Sequence, residues 1–225
     1  TTMSLSAWVR VDSYSSTINL RIIQKYDDTN NEYTMGLGGV QAQGRIGCRF
    51  EKDGVISQWT TGASNQLPRG RYVHVACVWN GSSVTIYFDG VSQAGGSLPT
   101  IYVAQETGGS LYVGGRTSPF TGLIDDVRIW SRALSAKEIT QLYQMGGSKI
   151  NKTIITPTLN SGLVGWWTFD GADSFPSTVA DKSGNNNTGN RTSVTMKAGK
   201  IGQGASFPLT TSKVNVPSVT DLTSA

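Results

Sequence analysis

The sequence predicts an all-β protein, folded as a two-sheet antiparallel jelly-roll sandwich with one short helix. Only 15% of its 225 residues are charged, and 27 of them are glycine. Short apolar or alternating segments recur along the chain and are separated by turn residues such as Asn-Gly and Asp-Gly. Many short strands joined by tight turns are typical of β-sandwiches and barrels.

The strand pattern is clearest near the beginning of the chain. Apolar residues alternate with others in Ser4–Val11, which places Leu5, Ala7, Val9 and Val11 on one face of a strand. Further strands are predicted at residues 18–26, 32–39, 45–51, 72–79, 84–88, 111–115 and 122–130.

Two local signals connect these strands. Asn80 and Gly81 predict a β-hairpin, because Asn-Gly readily adopts the positive φ angles of a type I′ turn. After the last strand, Ser135 and Glu138 form a capping box, in which each side chain accepts a hydrogen bond from the other residue's backbone N–H. The helix that starts there is expected to end at the glycine pair 146–147.

The chain divides into a main part, residues 1–147, and a tail, residues 160–225, joined by a polar linker at 148–159. The tail offers strands at 163–169, 205–207 and 213–216 and a long loop at 170–191. Three strands are too few for a stable core. The tail is therefore predicted to supply the opening strands of the same jelly roll, or of a neighbouring copy by strand exchange.

Three stretches of the chain resemble laminin-G-like domains of the concanavalin-A-like lectin/glucanase group. Residues 72–90 resemble the central hairpin of that family, residues 122–139 its closing strand and helix, and residues 162–207 its opening segment. The family order is thus circularly permuted here, or the chain is cut from a tandem array. The resemblance implies a jelly-roll fold and a location outside the cell or at its surface.

Several functions are disfavoured by the residues themselves. The net charge of +4 comes from scattered basic residues, which do not form a nucleic-acid patch. No apolar run approaches the ~18 residues of a membrane span. The single histidine, His74, lies in a predicted buried strand, and Asp125 and Asp126 are expected to face opposite sides of theirs. We therefore predict no catalytic residues and no enzyme activity.

Calcium is the cofactor that the polar loops favour, because it takes six to eight oxygen ligands from flexible loops. Laminin-G-like domains often carry a structural calcium, and the predicted ligands lie around the opening and closing strands. These ligands are Asp126, Asp170, Asp181, Asn185 and Asn187. An alternative set in the first part of the chain comprises Asp27, Asn30 and Asn31.

Loop aromatics are the candidates for ligand binding, since aromatic rings stack on the apolar faces of sugars. The predicted set is Tyr14, Trp59, Tyr102 and Phe120, with Arg116 nearby. Tryptophans within strands are expected to pack in the core. The two cysteines, Cys48 and Cys77, lie in apolar strands and are expected to be buried free thiols, with a cross-sheet disulfide as the alternative.

Together these features predict a non-catalytic extracellular binding or adhesion module that recognises carbohydrate or a surface protein. The alternative is a structural spacer, a self-assembling repeat of a cell-surface array that exchanges strands between copies. A polysaccharide-active enzyme is the third and least favoured hypothesis.

Overall fold

The structure is a computed structural model in which two antiparallel sheets form a β-sandwich. It describes residues 2–14, 19–26, 31–38, 44–52, 55–56, 60–61, 66–93, 109–116, 118–147, 157–217 and 219. The elements of the main part are β1 (Met3–Val11), β2 (Leu20–Tyr26), β3 (Asn31–Leu37), β4 (Ile46–Lys52), β5 (Val55–Ile56), β6 (Thr60–Thr61), β7 (Tyr72–Trp79), β8 (Val84–Phe88), β9 (Val91–Gln93), β10 (Ser110–Val113), β11 (Gly122–Trp130) and α1 (Ala136–Gly147). The tail contains α2 (Pro157–Asn160), β12 (Leu163–Trp167), β13 (Thr178–Val179), β14 (Gly189–Thr192), β15 (Thr195–Ala198), β16 (Gln203–Phe207) and β17 (Lys213–Val216).

Both sheets combine strands from the two parts of the chain. The first sheet has the order β15-β16-β11-β1-β7-β8-β9, and β12 also pairs with β11. The second has the order β13-β14-β17-β10-β2-β3-β4-β5, with β6 beside β4. All of these strand pairs are antiparallel. The predicted all-β, two-sheet fold class is confirmed.

The tail joins the main part at two strands. In the first sheet, Val127 of β11 lies opposite Trp167 of β12, and Ile124 lies opposite Ala205 of β16. In the second sheet, β17 pairs with β10, where Leu111 faces Val216. These residues belong to one buried hydrophobic cluster. The tail strands therefore pair within the same chain and share its core.

Strand β1 shows how the alternation of residues produces the two faces of the first sheet. The four predicted core residues Leu5, Ala7, Val9 and Val11 are all buried in the main cluster. Between them, Trp8 points to the opposite face, where α1 covers it. The sheet is therefore buried on both sides, by the second sheet and by the helix.

The helix begins with the predicted capping box. The backbone N–H of Ser135 donates to Glu138 Oε2 at 2.9 Å, and the N–H of Glu138 donates to Ser135 Oγ at 3.3 Å. Ile139 and Leu142 of the helix pack on Trp130 of β11 in a second, smaller hydrophobic cluster. The capping box thus fixes the start of the helix that closes this side of the sandwich.

Replacing Ser135 by alanine is expected to lower the free energy of unfolding by about 1 kcal/mol, because one N-terminal N–H of the helix loses its acceptor. Urea unfolding followed by circular dichroism measures this change. The control is Lys137→Ala on the exposed side of the same turn, which is expected to stay within about 0.5 kcal/mol of the parent. Equal stability of the two variants would show that the capping box contributes nothing.

Three local predictions need correction. The predicted two-residue type I′ turn is instead a four-residue loop from Asn80 to Ser83. Within this loop Asn80 Oδ1 accepts the N–H groups of Ser82 and Ser83. A type I′ turn needs a positive φ at both central residues, whereas in this loop only Gly81 has one. The predicted loop at 170–191 contains β13 and β14. Within the described residues α2 is a second helix where only one is predicted; it overlaps the end of the predicted linker at 148–159, and residues 148–156 lie outside the described residues.

The cysteines are also different from the expectation of free thiols. Cys48 of β4 and Cys77 of β7 form a disulfide, with their Cα atoms 6.3 Å apart. The two strands belong to different sheets, so the bond crosses the core. The alternative of a cross-sheet disulfide is therefore the correct one.

Candidate functional site

The candidate site is a cavity of about 160 Å³ on the face of the first sheet opposite the main core. Its polar lining consists of Asp125, Asp126, Arg128, Trp166, Thr168 and Asp170. Met145 of α1 and Ile201 of the β15–β16 turn complete the walls. The cavity therefore forms where β11, the helix and two parts of the tail meet.

A β-bulge in β11 brings two neighbouring carboxylates to this cavity. Ser6 of β1 pairs with Arg128 and Trp8 pairs with Asp125, so the single residue between them on β1 faces two residues on β11. Asp126, at the bulge, has a φ of +48°. A bulge interrupts the alternation of side chains and re-aims them. The expectation that Asp125 and Asp126 face opposite sides is therefore wrong, and both line the cavity.

Asp126 is held by a network of three hydrogen bonds. Its Oδ1 accepts hydrogen bonds from Arg128 Nε at 3.1 Å, from Arg128 Nη2 at 3.0 Å and from Trp166 Nε1 at 2.7 Å. The Arg128 Cζ atom also lies 4.3 Å from the centroid of the Trp166 ring. This network fixes the orientation of the indole, which is half-buried at the cavity.

Asp125 connects β11 to the β15–β16 turn. Its Oδ2 accepts the backbone N–H groups of Lys200 at 2.7 Å and Ile201 at 2.9 Å, whereas its Oδ1 is buried without a hydrogen-bond partner. Burial raises the pKa of Asp125 to about 7, with backbone hydrogen bonds opposing the rise and Asp126 adding to it. Near neutral pH this carboxyl group is therefore divided between its two protonation states.

Asp170 and Thr168 form the side of the cavity that belongs to the tail. Asp170 Oδ1 accepts the backbone N–H of Gln203 at 2.7 Å, and the backbone N–H of Asp170 donates to Thr168 Oγ1 at 3.2 Å. Phe169 between them has a φ of +59°. Backbone in this region costs free energy for a non-glycine residue, and such residues cluster at functional sites.

The structure separates the predicted calcium ligands into two groups. Asp126 and Asp170 line the cavity, but Asp181 caps the neighbouring loop by accepting the N–H groups of Trp166, Ser183 and Asn187. Asn185 and Asn187, the other two predicted ligands, lie in the same loop. Their side-chain amides donate hydrogen bonds to the Val164 carbonyl.

The calcium hypothesis stays a prediction. Among the described residues, no three His, Cys, Asp or Glu side chains lie close enough together to hold a metal ion. In the alternative set, Asp27 and Asn30 lie outside the described residues, as does the side chain of Asn31.

The three predicted ligand-binding residues that the structure describes do not form one site. The Tyr14 hydroxyl donates to the Leu67 carbonyl, and the Arg116 guanidinium carbon lies 6.0 Å from the Tyr112 ring centroid. Phe120 is fully buried in the main core, so its ring is not available to a ligand, which corrects that prediction. The other two aromatic residues, Trp59 and Tyr102, lie outside the described residues.

Sequence reasoning missed Trp166 and Arg128 as site residues. The expectation that tryptophans within strands pack in the core holds for Trp167, which is fully buried, but not for Trp166. The adjacent tryptophans in β12 carry the missing signal, because successive strand residues face opposite sides. One of the two rings therefore had to point away from the sandwich core.

His74 is buried as expected for a structural residue. Its ring lies 5.2 Å from Trp8 and 6.4 Å from Tyr143 of the helix, measured between centroids. Burial lowers the pKa of His74 to about 4, so the imidazole is neutral at physiological pH. The ring lies under α1 and is not part of the cavity lining.

Comparisons with solved structures find similar chains. A candidate carbohydrate-binding protein of Bacteroides ovatus matches with a TM-score of 0.62 and 20% identity, over 83% of this chain and 51% of that one. Domain 4 of an extracellular arabinanase from Geobacillus stearothermophilus, solved with arabinotriose, matches with a TM-score of 0.49 and 23% identity, over 64% of this chain and 66% of that one. The binding domain of a paraclostridial mosquitocidal protein matches with a TM-score of 0.48 and 16% identity, over 66% of this chain and 38% of that one.

The chain thus spans about half the length of the Bacteroides ovatus protein. A search of curated protein sequences finds no match. Within the described residues, no helix is long and apolar enough to cross a membrane. The family model described as concanavalin A-like lectin/glucanases superfamily matches residues 1–140, which is more than half of the sequence. The chain therefore belongs to the concanavalin A-like lectin/glucanases superfamily.

Proposed function

We propose that this chain is a non-catalytic carbohydrate-binding module of an extracellular or cell-surface protein, and that the cavity beside β11 is its sugar site. The observation that carries the proposal is the half-buried Trp166 ring, held in place beside charged hydrogen-bonding groups in a cavity. Ligand sites typically combine an apolar or aromatic wall with a few fixed polar groups that orient the ligand.

The lining supplies both kinds of contact that a sugar requires. An indole offers an apolar surface to the C–H groups of a sugar ring. Asp126, Asp170 and Thr168 offer oxygen acceptors for its hydroxyl groups, and these side chains are already positioned by their own hydrogen bonds. Because fewer groups have to be ordered when the ligand binds, such a site loses less free energy on association.

The size of the cavity points to a small ligand unit. Its volume of about 160 Å³ is below the roughly 300–1,000 Å³ of sites that enclose drug-sized molecules. We therefore expect the cavity to hold one sugar residue, or the end of a glycan chain, with the rest of the chain outside.

The carboxylates of β11 favour binding over hydrolysis. Glycosidases place two carboxyl groups on either side of the bond that breaks. Here Asp126 accepts three hydrogen bonds from Arg128 and Trp166, and Asp125 is completely buried and holds the β15–β16 turn. Each of the two is thus engaged in holding the structure together.

The disulfide supports a location outside the cytoplasm, because disulfides persist in oxidising compartments such as the cell exterior. Cell adhesion and self-association remain part of the proposal as alternatives. In this structure β12, β16 and β17 pair with β11 and β10 of the same chain, which supports a closed monomer over strand exchange. Light scattering at rising concentration tests this alternative, since strand exchange would produce dimers or larger species.

Replacing Trp166 by alanine is expected to weaken glycan binding at least about tenfold, because the ring provides the apolar wall of the cavity. A glycan array identifies the glycan that the parent binds, and calorimetry then compares the variants. The matched control is Phe175→Ala, which removes an aromatic ring that is 55% exposed and does not line the cavity. Equal affinity of the Trp166 variant, with an unchanged melting temperature, would contradict the assignment of this site.

A further inference from the structure

The charges around the cavity are strongly unequal. Three carboxyl groups line it, those of Asp125, Asp126 and Asp170. Among the described lining residues, Arg128 is the one cation, and its guanidinium lies 3.0 Å from Asp126 Oδ1. This pair cancels locally, which leaves Asp170, together with Asp125 when it is ionised, to set the charge that a ligand meets.

Among the described residues, neither of these two carboxyl groups forms an ion pair with a lysine. Lys200 donates its backbone N–H to Asp125, but its Nζ lies 4.9 Å from the centroid of the Trp8 ring. Lys182 in the tail lies 3.2 Å from Asp173 instead. The described part of the chain therefore leaves the cavity with an excess of negative charge.

Asp125 provides a second and independent indication of a ligand. It is 0% exposed and lines the cavity, and its Oδ1 has no hydrogen-bond partner. When this carboxyl group is ionised it can only accept hydrogen bonds, so Oδ1 then requires a donor. Buried acceptors without a donor are rare in folded proteins, and each one calls for an explanation.

We infer that the cavity prefers a glycan unit that carries a primary ammonium group, over the neutral sugar and over an acidic one. The inference rests on the proposed function and specifies its ligand class. An ammonium group has three N–H donors and a positive charge, which match acceptors that carry negative charge. A sugar carboxylate has neither property and is repelled by Asp170.

Hydrogen bonds to charged groups are roughly twice as strong as neutral ones. We therefore expect the amino sugar to bind about tenfold more tightly than the neutral sugar. Part of this preference comes from long-range attraction and is screened by salt. The difference between the two sugars is thus expected to shrink as the ionic strength rises.

The experiment uses trisaccharides of the gluco and galacto series, each in three forms: amino, neutral and uronic acid. Calorimetry at pH 6.5, where most of the amine is protonated, measures binding to the whole chain at low and at high salt. The expected order of affinity is amino, then neutral, then acidic.

Asp170→Asn keeps the size of the side chain and an oxygen for the Gln203 N–H, but removes the charge. This variant is expected to lose most of the preference for the amino form, so that the ratio of the amino to the neutral affinity falls towards one. The control is Asp12→Asn, an exposed carboxylate that does not line the cavity. It is expected to keep the parent's preference.

Two results would overturn the inference alone. One is tighter binding of the neutral or acidic form by the parent, and the other is an unchanged preference in Asp170→Asn. In both cases the proposed function is retained if glycan binding is still weakened by Trp166→Ala. A parent chain that binds no member of the panel and no glycan on an array would overturn the proposed function, and the inference with it.

Discussion

Replacing Cys48 and Cys77 together by alanine is expected to lower the free energy of unfolding by about 3–4 kcal/mol. The two residues are 29 positions apart in the sequence. A cross-link that closes a loop of this length removes about that much conformational free energy from the unfolded chain. Both residues are fully buried, and their strands belong to opposite sheets. Denaturant unfolding of the oxidised parent and of the double variant measures the difference.

The single variant Cys48→Ala serves as the control for the lost sulfur atoms. It breaks the same cross-link and removes one sulfur, so it is expected to have nearly the stability of the double variant. Mass spectrometry of the parent under non-reducing conditions confirms that the bond is present. A loss below about 1 kcal/mol in the double variant would show that the bond contributes little.

Replacing Asp125 by asparagine is expected to change how stability depends on pH. The pKa of Asp125 is about 7 in the folded state, against a usual value of 3.8. Between these values the folded chain holds a proton that the unfolded chain has released, so this contribution to stability is complete below pH 3.8 and is lost as the pH rises to 7. Three pKa units correspond to roughly 4 kcal/mol as an upper estimate.

His74 contributes with the opposite sign. Its pKa is about 4 in the folded state and 6.5 ordinarily, so its contribution to stability is complete above pH 6.5 and is lost as the pH falls towards 4. The two slopes largely cancel in the parent between pH 4 and 6.5. In Asp125→Asn the Asp125 contribution is absent, so of these two contributions only that of His74 changes with pH. The free energy of unfolding of this variant is therefore expected to rise with pH over this interval.

The measurement is the free energy of unfolding at pH 4, 6 and 8. The difference between Asp125→Asn and the parent is expected to move by up to roughly 4 kcal/mol in favour of the variant from pH 4 to pH 8. Because only the change with pH is read, any constant cost of the substitution drops out. Asp12→Asn at the surface is the control and is expected to follow the parent. A constant difference for Asp125→Asn would show that its carboxyl group titrates near its usual pKa.

The fold could be predicted from the sequence because its signals are local and repeated. The alternation in β1 identified the buried face, and the Ser135–Glu138 pair identified the start of α1. Short strands without an apolar pattern were harder to predict. β13 has two residues, and β14 contains Asn190 and Arg191, so their place in the second sheet depends on pairing with distant strands.

The site could be predicted only in part, because it depends on a departure from regular geometry. The sequence predicts Asp126 and Asp170 as oxygen ligands, and both line the cavity. It does not predict Asp125 beside them, because regular alternation turns this residue away from Asp126. A bulge depends on the register between two strands, here Ser6 and Trp8 against Arg128 and Asp125. The sequence of residues 122–130 alone therefore does not predict the bulge.

Because of this bulge, the residues that line the cavity can change in evolution without a change in the residues of the core. It adds one amino acid to β11 relative to β1, so a single-codon insertion or deletion can create or remove it. Val127 and Ile129 would keep contact with the opposite sheet as long as the strand stays in register beyond the bulge. Within one superfamily, related sandwiches can therefore differ in whether they carry this cavity at all.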